Sequence, residues 1–479
     1  MRCRPVDIMD TLSDDVLLAI FNSYLNEYSL EFWKKQREGA WRSLVQVCRR
    51  WRSVVFGSPG HLDLQLVCTA RTPARDRLDA WPTLPLIIKE EHEPIRCVDN
   101  IIAVLERSDR VCQIDILAIS SSNLEILFAA MQQPFPELKY LRLWSYDVTV
   151  AVVPDLLLGG FATRLEGLSL RGIPFPGLSK LLLSATHLSY LHLMSIPHSG
   201  YFSPDGMVTT LSTLTNLGSL ILGFESPRSC PDGATRPPPP SKRSVLSVLT
   251  LFRFKGVTEY LEDFVALIDT PRLNELSINL FNDVVFDTPQ FVQFISRTPM
   301  SRALEKAHIN IWHGAAYVNF LSRTYGHGDL SVEILCRGLD WQISSVEQVC
   351  TSFMAPLSMT EDLYIYKRPG QPLDWSSKKN IENVLWVELL HPFTAVKNLY
   401  LSREFSWLIP PALQELVGGR ITEVLPALEN IFLELESSQS VVDSIGPFID
   451  AREAAGHPIT ISYWDSPIKD KISTYYYVG

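Results

Sequence analysis

Residues 138–143 read LKYLRL, a Leu-x-x-Leu-x-Leu string that returns as LEGLSL (165–170), LSYLHL (188–193), LGSLIL (217–222), LSVLTL (246–251) and LNELSI (273–278). Their first positions are 27, 23, 29, 29 and 27 residues apart. Weaker copies follow at LEKAHI (304–309), SVEILC (331–336), TEDLYI (360–365), VKNLYL (396–401) and LENIFL (428–433). LDLQLVC (62–68), LPLIIKE (84–90) and VCQIDILAI (111–119) precede them. Each string is too short for a helix and alternates in polarity, so each reads as a strand. Helical patterns lie between them, among them 123–133, 258–270, 289–298, 344–354, 380–393 and 411–425. Strands and helices alternating at this period imply a stack of parallel strands with the helices on one side.

Within each string the leucines point to the core, so the third and fifth positions and the one after the motif face the other side of the sheet. Those positions place Tyr140, Arg142, Trp144, Tyr190, His192, Phe252, Tyr364, Tyr366, Tyr400 and Phe432 on one surface, with Gly167, Ser169 and Arg171 in the equivalent places of the second copy. Trp, Tyr and Arg are the residue types enriched at protein interfaces, while β-propensity alone also puts Tyr and Phe in strands. The ten are candidate contacts for a protein ligand. The repeat resembles the leucine-rich repeat, whose horseshoe implies an irregular solenoid over 60–465 with a concave parallel sheet and helices on the convex side. Where that family often has Asn in the turn after the strand, this chain has Tyr146, Ile173, Ile196 and Phe254. Apolar stacking is expected to replace an asparagine ladder.

The N-terminus is organised differently. Val16, Leu17, Ile20, Phe21, Tyr24 and Leu25 fall on one stripe of a 3.6-residue repeat, with Ser13 as N-cap and Asp14 and Asp15 at the positive helix start. Trp41, Leu44, Val45, Cys48, Trp51 and Val55 form a second stripe, which Gly57-Ser58-Pro59 ends. The strings LSxxVLxxIFxxYL from Leu12 and VCRxW from Val47 resemble the F-box. The chain as a whole thus resembles fungal-type F-box-like proteins with a leucine-rich-repeat-like C-terminal solenoid. The resemblance implies a helical module over 10–57 that docks onto a Skp-family adaptor and, through it, a cullin–RING ubiquitin ligase. It assigns adaptor contact or module core to Leu12, Val16, Leu17, Ile20, Phe21, Leu25, Leu44, Val47, Cys48 and Trp51. Ser13 replaces the family's usual proline, and the segment 26–40, with Tyr28, Phe32, Trp33, Lys34 and Lys35, is about ten residues longer than the pattern and suits an extra half-helix. The competing expectation is a stand-alone scaffold whose N-terminal helices cap the solenoid, with the stripe buried against 62–68.

Other features narrow the class. At 479 residues the chain exceeds one small core. The net charge of −10 argues against a nucleic-acid surface, and no run of eighteen apolar residues suggests a membrane span. The start MRCRPVDIMDTL lacks a signal-peptide pattern, and the eight scattered cysteines and the absence of N-x-S/T fit buried free thiols in the cytoplasm or nucleus. The Pro-rich stretch 226–244, with Pro237–Pro240, reads as a disordered insert, and 466–479 as a tail carrying Tyr475, Tyr476 and Tyr477. No nucleotide loop, nucleophile elbow or zinc-binding helix motif is present, and Gly326-His327-Gly328-Asp329 reads as a turn. No catalytic residue, metal or cofactor is expected. The expected role is binding, with an unknown protein as substrate.

Overall fold

The repeated strings form the strands of a mixed α/β chain. The structure, a computed structural model, describes residues 12–26, 34–71, 73–81, 84–90, 97–147, 151–175, 180–229, 243–281, 288–302, 304–312, 314–322, 329–336, 338–352, 357–367, 382–418, 420–434 and 439–464. It divides into two units, residues 1–191 and 192–479. The first holds α1 (Asp14–Asn26), α2 (Lys34–Val47), α3 (Arg49–Gly57), β1 (Leu66–Cys68), α4 (Ala74–Ala80), β2 (Leu86–Glu90), α5 (Asp99–Leu105), β3 (Val111–Ile116), α6 (Ser121–Ala130), β4 (Tyr140–Trp144), β5 (Gly167–Arg171) and α7 (Lys180–Ser184). Strand β6 (Tyr190–Ile196) contains the boundary. The second holds α8 (Pro204–Leu211), β7 (Ser219–Phe224), β8 (Ser244–Val245), β9 (Leu251–Gly256), α9 (Thr258–Ala266), β10 (Ile268–Asp269), β11 (Glu275–Phe281), α10 (Pro289–Arg297), β12 (Lys306–Trp312), β13 (Ala315–Leu321), β14 (Asp329–Leu335), α11 (Leu339–Ser352), β15 (Asp362–Lys367), α12 (Asn383–Leu390), β16 (Asn398–Leu401), α13 (Ile409–Gln414), β17 (Asn430–Glu434), α14 (Gln439–Ala454) and β18 (Thr460–Trp464).

In the first unit β1 to β5 pair in sequence order, all parallel. The leucines of each string, such as Leu138, Leu141, Leu143, Leu165, Leu168 and Leu170, are buried. Burying a leucine contributes about 1.5–3 kcal/mol, so the repeat is itself the core. In the second unit the sheet runs β7, β9, β11, β14, β13, β12, β15, β16, β17, β18.

The second unit departs from the all-parallel expectation at 306–335. Strand β12 pairs antiparallel with β13, and β13 antiparallel with β14, which lies beside β11. Two residues separate Trp312 from Ala315, and the second, Gly314, has φ +92°, a conformation that a tight hairpin requires and glycine supplies. Seven residues then separate β13 from β14, too few for the helical crossover a parallel return needs.

The frame at 246–254 also differs. Leu251 pairs with Ser219 and Glu275, and Phe252 with Leu220 and Leu276. The working string is therefore Leu249-x-x-Phe252-x-Phe254, three residues later than read. Phe252 is fully buried, its ring 5.5 Å from Phe264, and faces the core rather than a ligand. Phe254 is buried in the same core and does not occupy the turn after the strand. The outward side chains of β9 are Leu251, Arg253 and Lys255. Both frames begin with leucines three apart, and only cross-strand pairing decides between them.

Three smaller readings change. The second N-terminal stripe is two helices, broken at Cys48, whose backbone is extended and whose Sγ accepts from the Trp51 N–H at 3.4 Å. The helix expected over 411–425 is the short α13. The edges of the Pro-rich insert are ordered: Ser229 is buried, and β8 pairs with β10. Of the cysteines, Cys68, Cys336 and Cys350 are buried and in no disulfide, whereas Cys48 and Cys97 are exposed. Tyr28, Phe32, Trp33, the side chains of Lys34 and Lys35, Pro237–Pro240, Gly326–Gly328, Tyr475–Tyr477, Cys3 and Cys230 lie outside the described residues.

Two buried polar groups brace the helix layer of the second unit. Glu262 of α9 accepts from the Gln290 and Phe291 N–H groups, 3.0 and 2.7 Å away, at the first turn of α10. The carboxylate thus caps a neighbouring helix and meets its positive end. Arg452 of α14 is fully buried and donates to the carbonyls of Ile421, Pro426 and Leu428 at 3.2–3.3 Å.

Candidate protein-interaction surfaces

The two N-terminal stripes separate into three groups. Leu17, Phe21, Leu25 and Leu44 are buried. Trp51 is half-buried with its ring 4.7 Å from Phe21, and Arg50 donates to the Leu12 carbonyl and to Asp14 at 2.9 Å, tying α3 to the start of α1. Val16 and Ile20 of α1 and Val47 at the end of α2 are 44%, 48% and 60% exposed, and Cys48 is exposed beside Val47. Leu12 is half-buried. A third group faces the sheet. Trp41 of α2 donates from Nε1 to the Gln65 carbonyl at 3.2 Å, and its ring lies 5.3 Å from Trp81 and 6.2 Å from Phe56. Sequence spacing alone does not separate these faces, because all three carry apolar residues at helical intervals.

On the outer sheet face of the first unit, cross-strand pairing orders the polar groups. Arg142 holds Asp115 through Nε and Nη2 at 2.6 and 2.5 Å, a two-point charge-assisted pair. The Tyr140 hydroxyl donates to Glu166 at 2.7 Å. That bond, reinforced by burial, pushes the phenol up to about 12 and draws the Glu166 carboxyl below its ordinary range. Tyr140 and Tyr190 stack at 6.2 Å across β5 because Gly167 stands between them, where a Cβ would meet the Tyr190 ring at 2.1 Å. Trp144 donates from Nε1 to Ser169 at 3.3 Å.

The outer face of the second unit is aromatic. Tyr364, Tyr400 and Phe432 occupy one register across β15, β16 and β17, and their rings stack at 4.1 and 4.4 Å. His308 of β12 extends the stack, 4.4 Å from Tyr364. Burial, with a smaller contribution from Lys306, pushes the His308 imidazole down to about 4, so it is neutral at pH 7. Beside this stack a side-chain amide chain runs from Asn430 to Asn398 at 2.9 Å and from Asn398 to Asp362 at 2.7 Å. Trp464 of β18 lies edge-on to Tyr364 and Tyr400 at 5.9 and 5.4 Å. Tyr366 is buried in the same cluster. It is therefore a packing residue rather than an exposed contact, because the indole of the last strand and its neighbours cover it. Trp464 was missed by the repeat reading, although PITISYW puts it on the Phe432 side of the strand when the alternation is carried one strand further. In the same unit His192 contacts the Ser219 hydroxyl through Nε2 at 3.0 Å.

A cavity of about 40 Å³ in the second unit is lined by Leu211, Ser212, Leu214, Thr215, Leu217 and residues 245–248, none of them titratable. Among the described residues no group of three His, Cys, Asp or Glu side chains is placed to hold a metal, and no helix is long and apolar enough to cross a membrane.

In class the chain is an α/β repeat protein, with parallel strands built on leucine-spaced strings and one sheet face carrying ordered aromatic and charged side chains. No family model matches it, and no curated protein matches it. Among solved structures it is similar to the leucine-rich repeat-containing protein LegL7 from Legionella pneumophila, at 11% identity over 80% of this chain and 97% of that one, with a TM-score of 0.28.

Proposed function

We propose that this chain is a non-catalytic substrate receptor of an SCF-type cullin–RING ubiquitin ligase, working in the cytoplasm or nucleus. The N-terminal helices grip a Skp-family adaptor, and the outer sheet face holds a target protein. Ubiquitin transfer then follows from proximity supplied by other subunits. The observation that carries this reading is the exposed apolar set Val16, Ile20 and Val47, on helices whose other faces are already packed. Val16 and Ile20, one turn apart on α1, are an exposed aliphatic pair of the kind a partner helix covers, and Val47 is exposed at the end of α2.

Co-expression with a Skp-family adaptor and co-purification of wild type beside Val16→Asp/Ile20→Asp tests it. Leu17→Asp is a poor probe, since a charge at that fully buried site would unfold the helices. Exposed substitutions change stability by about 0.5 kcal/mol or less, whereas two lost apolar anchors cost roughly 2–4 kcal/mol of binding, or about 30-fold or more. Wild type is expected to co-purify and the folded double variant to be lost. A second reading, a stand-alone scaffold with an N-terminal cap, is favoured by the packing of Trp41 on Gln65 and Trp81. Wild type that stays soluble alone and ignores the adaptor selects it.

A further inference from the structure

On the outer face of the first unit, Arg171 has no carboxylate partner among the described residues. Arg171 ends β5 directly across from Trp144 of β4. Its guanidinium carbon lies 5.3 Å from the Trp144 ring and 5.3 Å from the Tyr146 ring. Its Nη1 is shielded from solvent and donates to no protein acceptor, and among the described residues no carboxylate pairs with it. Asp147, the one carboxylate in 145–150, accepts from the Ser121 N–H at 2.5 Å, and 172–179 contains no Asp or Glu. Neighbouring Arg142 differs: Asp115 accepts from its Nε and its Nη2.

The geometry around Arg171 is fixed before any ligand arrives. The Trp144 indole is pinned by its bond to Ser169. Gly172, with φ +67°, turns the chain immediately after Arg171, and a Cβ there would meet the Ser145 carbonyl at 2.3 Å. Tyr146 is 61% exposed and stands as an open wall beside the guanidinium. The outward positions of β2 to β5 hold Lys89, Arg142 and Arg171 against Asp115, and Glu166, just before β5, is already taken by Tyr140 and Lys139, on a chain whose net charge is −10. This face is locally positive. A guanidinium braced by aromatic rings keeps its planar fork for a carboxylate, and a lone fork with no second free arginine beside it suits a carboxylate better than a phosphate dianion.

We propose that this face binds an acidic, unmodified segment of a partner protein, with Arg171 taking an aspartate or glutamate side chain beside Trp144 and Tyr146. The proposal rests on the receptor reading only in supplying that reading's target class, and it holds equally for a stand-alone scaffold. The test titrates three fluorescein-labelled decapeptides into the full chain by anisotropy: alternating Glu–Gly, its Gln–Gly isostere, and a phosphoserine–Gly counterpart. The Glu peptide is expected to bind at least about tenfold tighter than the Gln peptide and to weaken as salt rises. Arg171→Met should remove about tenfold or more of that affinity, and Arg171→Lys should restore part of it. Tyr146→Ser, at a site too exposed to decide folding, should weaken binding severalfold. Equal binding of the Glu and Gln peptides, no binding at all, an unchanged Arg171→Met, or a phosphoserine peptide preferred by more than about tenfold would each overturn the proposal. Adaptor co-purification of Arg171→Met keeps the two readings apart. A wild type that retains the adaptor but does not recognise the Glu peptide sinks only this inference, while Arg171-dependent peptide binding without an adaptor sinks only the ligase reading.

Discussion

Removing the middle ring of the aromatic stack should expose how much of the outer face of the second unit is structural. Tyr400 lies 4.1 Å from Tyr364 at an interplanar angle of 9°, 4.4 Å from Phe432 at 8°, and 5.4 Å from Trp464 at 72°. Each such pair is worth about 0.5–1.5 kcal/mol beyond area burial, so Tyr400→Ala forfeits roughly 1.5–4.5 kcal/mol from pairing alone. Adding the lost packing of a half-buried ring gives an expected cost of about 3–5 kcal/mol. Tyr400→Phe keeps all three ring contacts and should cost under about 1 kcal/mol. Urea unfolding followed by circular dichroism reads the difference as a shift in midpoint at constant slope. A double-mutant cycle with Tyr364→Ala isolates the stack itself, with an expected coupling of about 1 kcal/mol. Coupling within about 0.3 kcal/mol of zero would refute the reasoning, because the rings would then be independent and open to a ligand.

Further outcomes follow from the same geometry. His308 is neutral in the fold down to about pH 4, against an ordinary value of 6.5. Between those values the unfolded chain takes up a proton that the folded chain refuses, so stability falls as pH drops from about 6.5 to 4, by at most about 3 kcal/mol for this half-buried ring. The melting temperature of wild type relative to His308→Phe should fall as pH drops across that window, and a parallel pair of curves would contradict the assignment. Glu262→Ala strands two N–H donors at the start of α10 and should cost about 2–4 kcal/mol in a urea melt, with Glu262→Gln recovering part of it. Phe252→Ala should cost about 3–5 kcal/mol as a core cavity while leaving Glu-peptide binding intact in the folded fraction, and a binding defect without destabilisation would restore it to the surface.

The strand positions and the inward leucines were legible because a period-two alternation and a period near 27 are carried by residue type alone. The frame at Leu246 was not, since Leu246 and Leu249 start equally good strings and hydrogen-bond partners lie in other repeats. The hairpin at 306–321 was hidden for a similar reason: AAYVNFL alternates like any strand, and only the two-residue turn at Gly314 reverses it. At the N-terminus the sequence marks an apolar stripe but not its division among Leu17, Trp41 and Val16, because that depends on which neighbours each face meets. Buried polar braces such as Glu262 and Arg452 look in sequence like ordinary charged helix positions. Arg171 was visible as an outward residue, but its place between Trp144 and Tyr146 depends on how β4 and β5 pair.

Hydrogen exchange of the purified chain with and without a Skp-family adaptor tests the central claim most directly. The account predicts new protection confined to α1 and the α2–α3 junction, over the peptides containing Val16, Ile20 and Val47. Peptides covering Ser58 to Gln65 and the strands should be unchanged. No protection on these helices, or protection on the sheet face alone, would contradict it.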